Sequence, residues 1–370
     1  MTCAVVQERE QRSLSDVVAR AVRAGGAFAV LDPTWPEAFL GMATGQVQEA
    51  VSAGALGSGD LVVFSSGSTG EPRGIVRTVE SWQASVGPFS EISGITDADR
   101  VWLPGPLWSS LFLYGAFHAE AVGATVAFRD DDPADATALH CVPSQLPGLL
   151  ERALAGGLPL VRLVVVAGDH CPASLRQRCA AAGWRLVEYY GAAELSFVAW
   201  RDRSGPLHVF PGVETELRDG VLWARSPYLA AGYLSVRADG PLLQDPNGWA
   251  TVGDLATAVP GGLEVLGRGD NAVTTGGHTV VVEEVERLLL GLSGVDDVAV
   301  LGVPHPRLGQ ALTAVVVGSA ADRTLRAAVA GIPAPSRPRR WLHAEALPRT
   351  SGGKLARTAL PGLVAGLSRP

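Results

Sequence analysis

Leu61-Val62-Val63-Phe64 is a short, wholly apolar run that breaks at once into Ser65-Ser66-Gly67-Ser68-Thr69-Gly70, followed by Glu71-Pro72-Arg73-Gly74. An uninterrupted apolar run of that length fits a strand buried on both faces. The small residues after it allow a sharp turn that aims backbone N–H groups and hydroxyls at an anion. Such a loop suits a triphosphate, with a cation from Arg73 nearby. It is not the P-loop, because the chain has no G-x-x-x-x-G-K-[ST] pattern. A polar surface turn has the same composition, so this stretch alone does not decide between the two.

Bulk properties narrow the choice. A chain of 370 residues, 47% of them hydrophobic, is long enough for two or three domains with sizeable cores. A net charge of −7 leaves no basic footprint, so nucleic acid is not expected as a partner. There is no apolar run of about 18 residues and no charged-then-apolar N-terminus, which argues against a membrane span or a signal peptide. Cys3, Cys141, Cys171 and Cys179 make no C-x-x-C pair and no metal spacing. Scattered thiols of this kind suit a reducing, cytoplasmic setting.

The loop does not stand alone. Tyr190-Gly191-Ala192-Ala193-Glu194, Thr251-Val252-Gly253-Asp254, Gly267-Arg268-Gly269-Asp270 through Glu284-Val285-Glu286, and Pro348-Arg349-Thr350-Ser351-Gly352-Gly353-Lys354 follow in order. Together these segments resemble the motifs of the adenylate-forming (AMP-binding, ANL) superfamily: acyl- and aryl-CoA ligases, luciferases and peptide-synthetase adenylation domains. Ala24 to Pro33 resembles a further segment of that family. Members carry a sizeable region before it that is nearly absent here, so a compact, N-terminally shortened acyl/aryl-CoA ligase is expected. The 30 basic residues are 29 arginines and one lysine, Lys354, which lies where the resemblance implies the adenylation catalyst. A planar guanidinium does not replace a compact ammonium at a tight site.

Between the motifs, apolar runs (Val101–Leu103, Ala124–Phe128, Leu163–Val166) alternate with helical patterns (Trp82–Ile92, Ser144–Leu154, Ala173–Ala182). That alternation predicts an α/β sheet with parallel strands and ligands at the strands' carboxyl ends. Residues 205–266 carry short alternating runs between Gly and Pro turns, a β-rich pattern. From Val280 onward, helix and strand patterns suggest a small α+β lid. The expected fold is thus an α/β N-terminal domain, residues 1–267, of parallel sheets with flanking helices plus a β-rich subdomain. A small mobile α+β lid, residues 268–370, follows, with its hinge near Asp270.

The resemblance implies the roles. Ser65, Ser66, Gly67, Ser68, Thr69, Gly70 and Arg73 would hold the ATP phosphates, and Glu194 the Mg2+. Gly168, Asp169, Tyr189, Tyr190, Gly191, Asp254 and Arg268 would hold the adenosine, with Lys354, Glu194 and Arg268 as catalytic groups. Trp108, Ser109 and Ala192 would line the acyl pocket, and Gly276 and Gly277 the CoA side. No aspartate occurs between Leu103 and Phe117 to pair an α-ammonium, so a carboxylic acid without one is expected. Val252 and Thr274 depart from the family pattern. The implied reaction is activation of a carboxylic acid by ATP, then transfer to a thiol, with CoA as the leading acceptor. The alternatives are a carrier-protein or non-thiol acceptor, or a degenerate nucleotide-binding homologue. A homodimer is compatible with the sequence.

Overall fold

The computed structural model describes residues 3–7, 27–31, 35, 37–57, 59–65, 73–202, 204–234, 241–268, 272–275, 278–350 and 353–367. Four sheets carry the chain. The first contains β1 (Cys3–Gln7), β2 (Ala27–Leu31), β3 (Asp60–Ser65) and β4 (Arg73–Thr78), in that order, with a short strand at Gly232–Tyr233 on the edge of β4. Strands β1 to β3 run parallel, and β4 returns antiparallel beside β3. The helix α1 (Glu37–Ser52) covers this sheet through Ala43 and Val47, which share a core with Ala29 and Phe64.

Next come the helix α2 (Val79–Ser93), β5 (Arg100–Leu103), α3 (Ser110–Ala121), β6 (Thr125–Phe128), β7 (Ala138–Cys141) and α4 (Leu146–Leu154). They are followed by β8 (Leu163–Val166), α5 (Ala173–Ala181), β9 (Arg185–Ala192) and β10 (Ser196–Arg201). In this second sheet β9, β8, β7, β5 and β6 are neighbours in that order and all parallel, with β10 antiparallel on β9. Its strands are apolar on both faces because both are covered. Phe89, Leu103, Ala138 and Val165 pack on the side of α2 and α3, whereas Leu139, Cys141, Val164 and Cys179 pack on the side of α4 and α5.

The third sheet is antiparallel: β11 (Glu214–Arg218), β12 (Val221–Arg225), β13 (Asp254–Val259) and β14 (Gly262–Arg268), with short strands at Leu243–Gln244 and Ala250–Thr251. The fourth begins four residues after Arg268. It holds β15 (Ala272–Thr275), β16 (His278–Val281), β17 (Val295–His305), β18 (Gly309–Gly318) and β19 (Arg340–His343), with α6 (Val282–Leu290), α7 (Asp322–Ala328) and α8 (Leu360–Leu367) around it.

This is the expected plan of parallel α/β sheets, a β-rich part and a small C-terminal α+β unit. Some details differ. Helix α1 went unread, and β9 runs on through the Tyr190–Gly191 segment to Ala192, because it pairs with β10 in a hairpin. Helix α3 went unread because it is apolar on nearly every side: Leu111 to Ala116, His118 and Ala119 are all buried, so no polar face marks its period. Among the described residues, no helix is long and apolar enough to cross a membrane.

Candidate active site

The carboxyl ends of β7, β8 and β9 lead to Val142, Gly168 and Glu194. Three groups form there. The first grows from β3 and β4. Ser65 ends β3 opposite Arg73, while Ser66, Gly67, Ser68, Thr69 and Gly70 lie outside the described residues. The Arg73 guanidinium sits 5.6 Å from the centre of the Tyr233 ring. The Tyr233 hydroxyl donates to Glu194 Oε1 at 3.0 Å and accepts from the Leu242 backbone at 3.1 Å. Burial and the neighbouring Glu194 charge push the Tyr233 hydroxyl up to about 12, so it remains a donor.

Glu194 is only 5% exposed, far from the solvated surface position its residue type usually takes. It stands in the turn between β9 and β10. There a Cβ on Gly191 would collide with the Ser196 carbonyl oxygen, so only glycine lets the strands close. Ser196 completes the turn at φ 56, a left-handed conformation that costs a non-glycine residue about 1 kcal/mol. Arg77, which the sequence reading passed over, holds this turn: Nη1 donates to Ser196 Oγ at 2.6 Å and Nη2 to the Tyr228 carbonyl at 2.8 Å. Its guanidinium lies 5.3 Å from the Trp82 ring centre. Burial lowers the Arg77 pKa to about 10, partly offset by Glu194, so it stays charged at neutral pH. The available signal was its place four residues after Arg73, on the same face of β4.

Arg268 and Asp254 belong to the second group. The Tyr190 hydroxyl donates to Asp254 Oδ2 at 2.6 Å, and Asp254 is paired with Arg268 across β13 and β14. The side chain of Arg268 lies outside the described residues. Thr251 pins the turn before Asp254: its hydroxyl donates to the Leu222 carbonyl at 2.6 Å and accepts from the Gly253 backbone at 3.1 Å. Tyr189 belongs elsewhere. Its ring lies 4.6 Å from Phe197 and 6.3 Å from Phe89, within an aromatic cluster.

The third group brings the C-terminal unit to the edge. Thr350 and Lys354 close a small hairpin, with Thr350 N donating to the Lys354 carbonyl at 2.7 Å and Gly353 N to that of Thr350 at 2.8 Å. Ser144 Oγ donates to the Gly353 carbonyl at 2.9 Å across the two units. A Cβ built on Gly168, whose φ is +95, would lie 3.2 Å from Lys354 Cε. The lysine stem therefore runs directly over Gly168. Asp169 and His170 follow, and Arg287 and Arg357 of the C-terminal unit act electrostatically on them. Burial above all, then Arg287, Arg201 and Arg176, lower the His170 pKa to about 4. Arg357 is held in turn by Glu286, at 3.0 and 2.7 Å, and by Glu283 at 3.3 Å.

Trp108 and Ala192 pack half-buried against the main core, and Ser109 stands at the N-cap position of α3 without a side-chain capping bond. Among the described residues, Trp108 and Ser109 share no side-chain hydrogen bond or ring contact with the three groups. Asp270, Gly276 and Gly277 lie outside the described residues. Mg2+ takes oxygen ligands and is commonly held by one or two carboxylates plus substrate phosphates. A single buried carboxylate beside Arg73, fixed by Tyr233, fits that mode. Among the described residues no cluster of three or more His, Cys, Asp or Glu could hold a metal ion.

Comparison with known proteins gives two family matches, described as AMP-binding enzyme over residues 56–234 and AMP-binding enzyme C-terminal domain over residues 284–354. The chain is 32% identical over 329 residues to the uncharacterized acyl–CoA ligase YhfT of Bacillus subtilis (strain 168), covering 80% of this chain and 66% of that protein. It thus spans slightly less than two thirds of the Bacillus protein's length. It is 30% identical over 384 residues to a probable 2-succinylbenzoate–CoA ligase of Mycobacterium tuberculosis, covering 93% of this chain and 98% of that one. The crystal structure of ATP-bound MatB from Rhodopseudomonas palustris superimposes with a TM-score of 0.82 at 20% identity, over 99% of this chain and 89% of the other, a likeness of fold.

Proposed function

The chain belongs to the AMP-binding enzyme family, and from that premise we propose that it activates a carboxylic acid with ATP and passes the acyl group to the thiol of CoA. The observation that carries this reading is the chain's one lysine lying over Gly168, on the edge that also holds Glu194 and the Tyr190–Asp254 pair. In the first step a carboxylate oxygen of the substrate attacks the α-phosphorus of ATP. The bond from that phosphorus to the bridging oxygen breaks, and pyrophosphate leaves. Such a step asks the protein for alignment and charge neutralisation more than for covalent chemistry.

Lys354 brings positive charge to the point where the carboxylate and the α-phosphate meet. Ser65 to Gly70 with Arg73 bind the outer phosphates, and Asp254 and Arg268 the ribose. Gly168, Asp169, Tyr190 and Gly191 border the base, with Tyr189 behind them. Glu194 holds Mg2+, which when bound offsets phosphate charge. Trp108, Ser109 and Ala192 border the acid. In the second step the CoA sulfur attacks the acyl carbon, the bond to the phosphate oxygen breaks, and AMP leaves. We place the hinge between the two poses at Asp270, between the end of the third sheet and the start of the fourth, with Gly276 and Gly277 on the CoA side.

The test is acid-dependent exchange of labelled pyrophosphate into ATP, across short, long and aromatic acids. Exchange with one acid class, followed by thioester formation when CoA is added, is the expected result. Exchange without thioester would move the acceptor to a carrier-protein thiol or a non-thiol group. No exchange with any acid, in folded protein that binds ATP, would overturn the reading.

A further inference from the structure

We propose that Arg77 is a positioning residue for the metal-binding carboxylate, bolting the Glu194 turn into place from below. The proposal deepens the reading above and rests on its assignment of Glu194. Two segments flank Glu194, and Arg77 ties both. One is the hairpin turn that ends at Ser196, whose hydroxyl takes the Nη1 hydrogen bond at 2.6 Å. The other is the stretch from Tyr228 to Tyr233. Its Tyr228 carbonyl takes the Nη2 bond at 2.8 Å, and its Ala230 N–H donates to the Glu194 carbonyl at 2.8 Å. The same stretch then pairs with β4 itself, through Gly232 opposite Val76 and Tyr233 opposite Ile75, and delivers the Tyr233 hydroxyl to Glu194.

Strand β4 therefore holds Glu194 twice. Arg73 at its open end stacks on Tyr233, and Arg77 at its buried end fixes the turn. Arg77 is 1% exposed, so its charge acts through a poorly screening interior, where an opposite charge on the nearby Glu194 is favoured. A side chain serving only to fill the core would need no cation there, since a buried guanidinium is costly to desolvate unless it is paired. Its Nε has no hydrogen-bond partner among the described residues, and its two outer nitrogens both go to the segments around Glu194. The left-handed Ser196 is held by that bond in a backbone conformation serine rarely keeps unaided.

The experiment measures ATP affinity by calorimetry on the full chain, with and without Mg2+, alongside thermal melting. Arg77→Met and Arg77→Lys are compared with Glu194→Gln. Arg77→Met is expected to reduce the Mg2+-dependent gain in ATP affinity about tenfold, in the direction of Glu194→Gln, and to leave metal-free ATP affinity within about twofold. Arg77→Lys, which keeps the charge but not the two-pronged grip, is expected to fall between. An unchanged Mg2+ gain in folded Arg77→Met, or equal losses with and without the metal, would overturn the proposal. Should Arg77→Met fail to fold, Ser196→Ala removes the same hydrogen bond: a severalfold loss of the Mg2+ gain supports the proposal, and none overturns it. Because no acid is needed, the outcome is separate from that of the exchange assay. A folded wild-type chain whose ATP affinity ignores Mg2+ would also overturn it.

Discussion

Glu194 and Lys354 face the same edge and are built in opposite ways. Glu194 is buried, bonded through Tyr233, and set in a turn that Gly191, Ser196 and Arg77 all fix. Lys354 is exposed and rides on a small hairpin to which, among the described residues, Ser144 of the body donates at the Gly353 carbonyl. On the proposed roles, with Glu194 on the metal and Lys354 on the lid, the difference matches two kinds of task. A carboxylate that holds a metal through both steps gains from a rigid, desolvated seat. A cation needed in one step and obstructive in the next gains from a light attachment that a hinge can undo. Residues around Glu194 should therefore matter to folding and function together, and residues around Lys354 to function alone.

The largest effect expected from that contrast is at the lysine. Lys354→Ala should lower acid-dependent pyrophosphate exchange by about 10²–10³, equivalent to about 2.7–4 kcal/mol, the range for removing one preorganised donor. Its melting temperature should match the wild type, since an exposed side chain contributes little to stability. A matched fall in both would make Lys354 a structural residue and erase the contrast. Gly191→Ala should do the reverse, costing about 3 kcal/mol of stability by overpacking against the Ser196 carbonyl, measured by urea unfolding. A stable Gly191→Ala protein would mean that the Glu194 turn is looser than its hydrogen bonds imply.

How far the sequence could be read follows the same divide. The lysine hairpin, the Tyr190-to-Glu194 segment and the Thr251-to-Asp254 turn are local: each chemical group sits within a few residues of the glycines that shape it. The short parallel strands β5, β6 and β8 and most helices were readable for the same reason, from their own local pattern. Arg77 was not, because its meaning lies in Ser196 and Tyr228, 119 and 151 residues away. In GIVRT an arginine looks like the solvent side of a strand, and only the tertiary approach of Ser196, Tyr228 and Trp82 closes it in. Tyr189 misleads in the other direction. Its place beside Tyr190 suggests a second ring on the nucleoside, yet Phe197 and Phe89 draw it into the aromatic cluster.

The body should also be the acid-sensitive part. Burial lowers the pKa of His140 to about 3 and of His118 to about 4, against about 6.5 in an unfolded chain. Each is neutral when folded, so between those values and pH 6.5 the unfolded state binds more protons. Stability is complete above about pH 6.5 and falls as the pH drops, by about 2 kcal/mol per histidine at about pH 5. Urea unfolding across that range checks it, and His140→Leu should flatten the slope by one histidine's share. If the slope stayed unchanged in His140→Leu, other groups would be setting the acid limit.

The smallest effect probes the attachment of the lid. Ser144→Ala removes the hydroxyl that donates to the Gly353 carbonyl, an exposed hydrogen bond worth about 0.5–1 kcal/mol. The folded body loses almost nothing, so melting should not move. What changes is the balance between the pose with Lys354 over Gly168 and the alternative, which should cut exchange about two- to fivefold. On the proposed two-pose mechanism, hydrolysis or thioester formation from a supplied acyl-adenylate does not use that pose and should be spared. The ratio of the two rates in Ser144→Ala therefore measures how much of the docking free energy this bond carries. A loss of exchange as deep as that of Lys354→Ala would mean that the bond alone holds the lysine in place. No loss would assign the docking to the stem of Lys354 on Gly168, and to the attraction between Arg357 and Asp169.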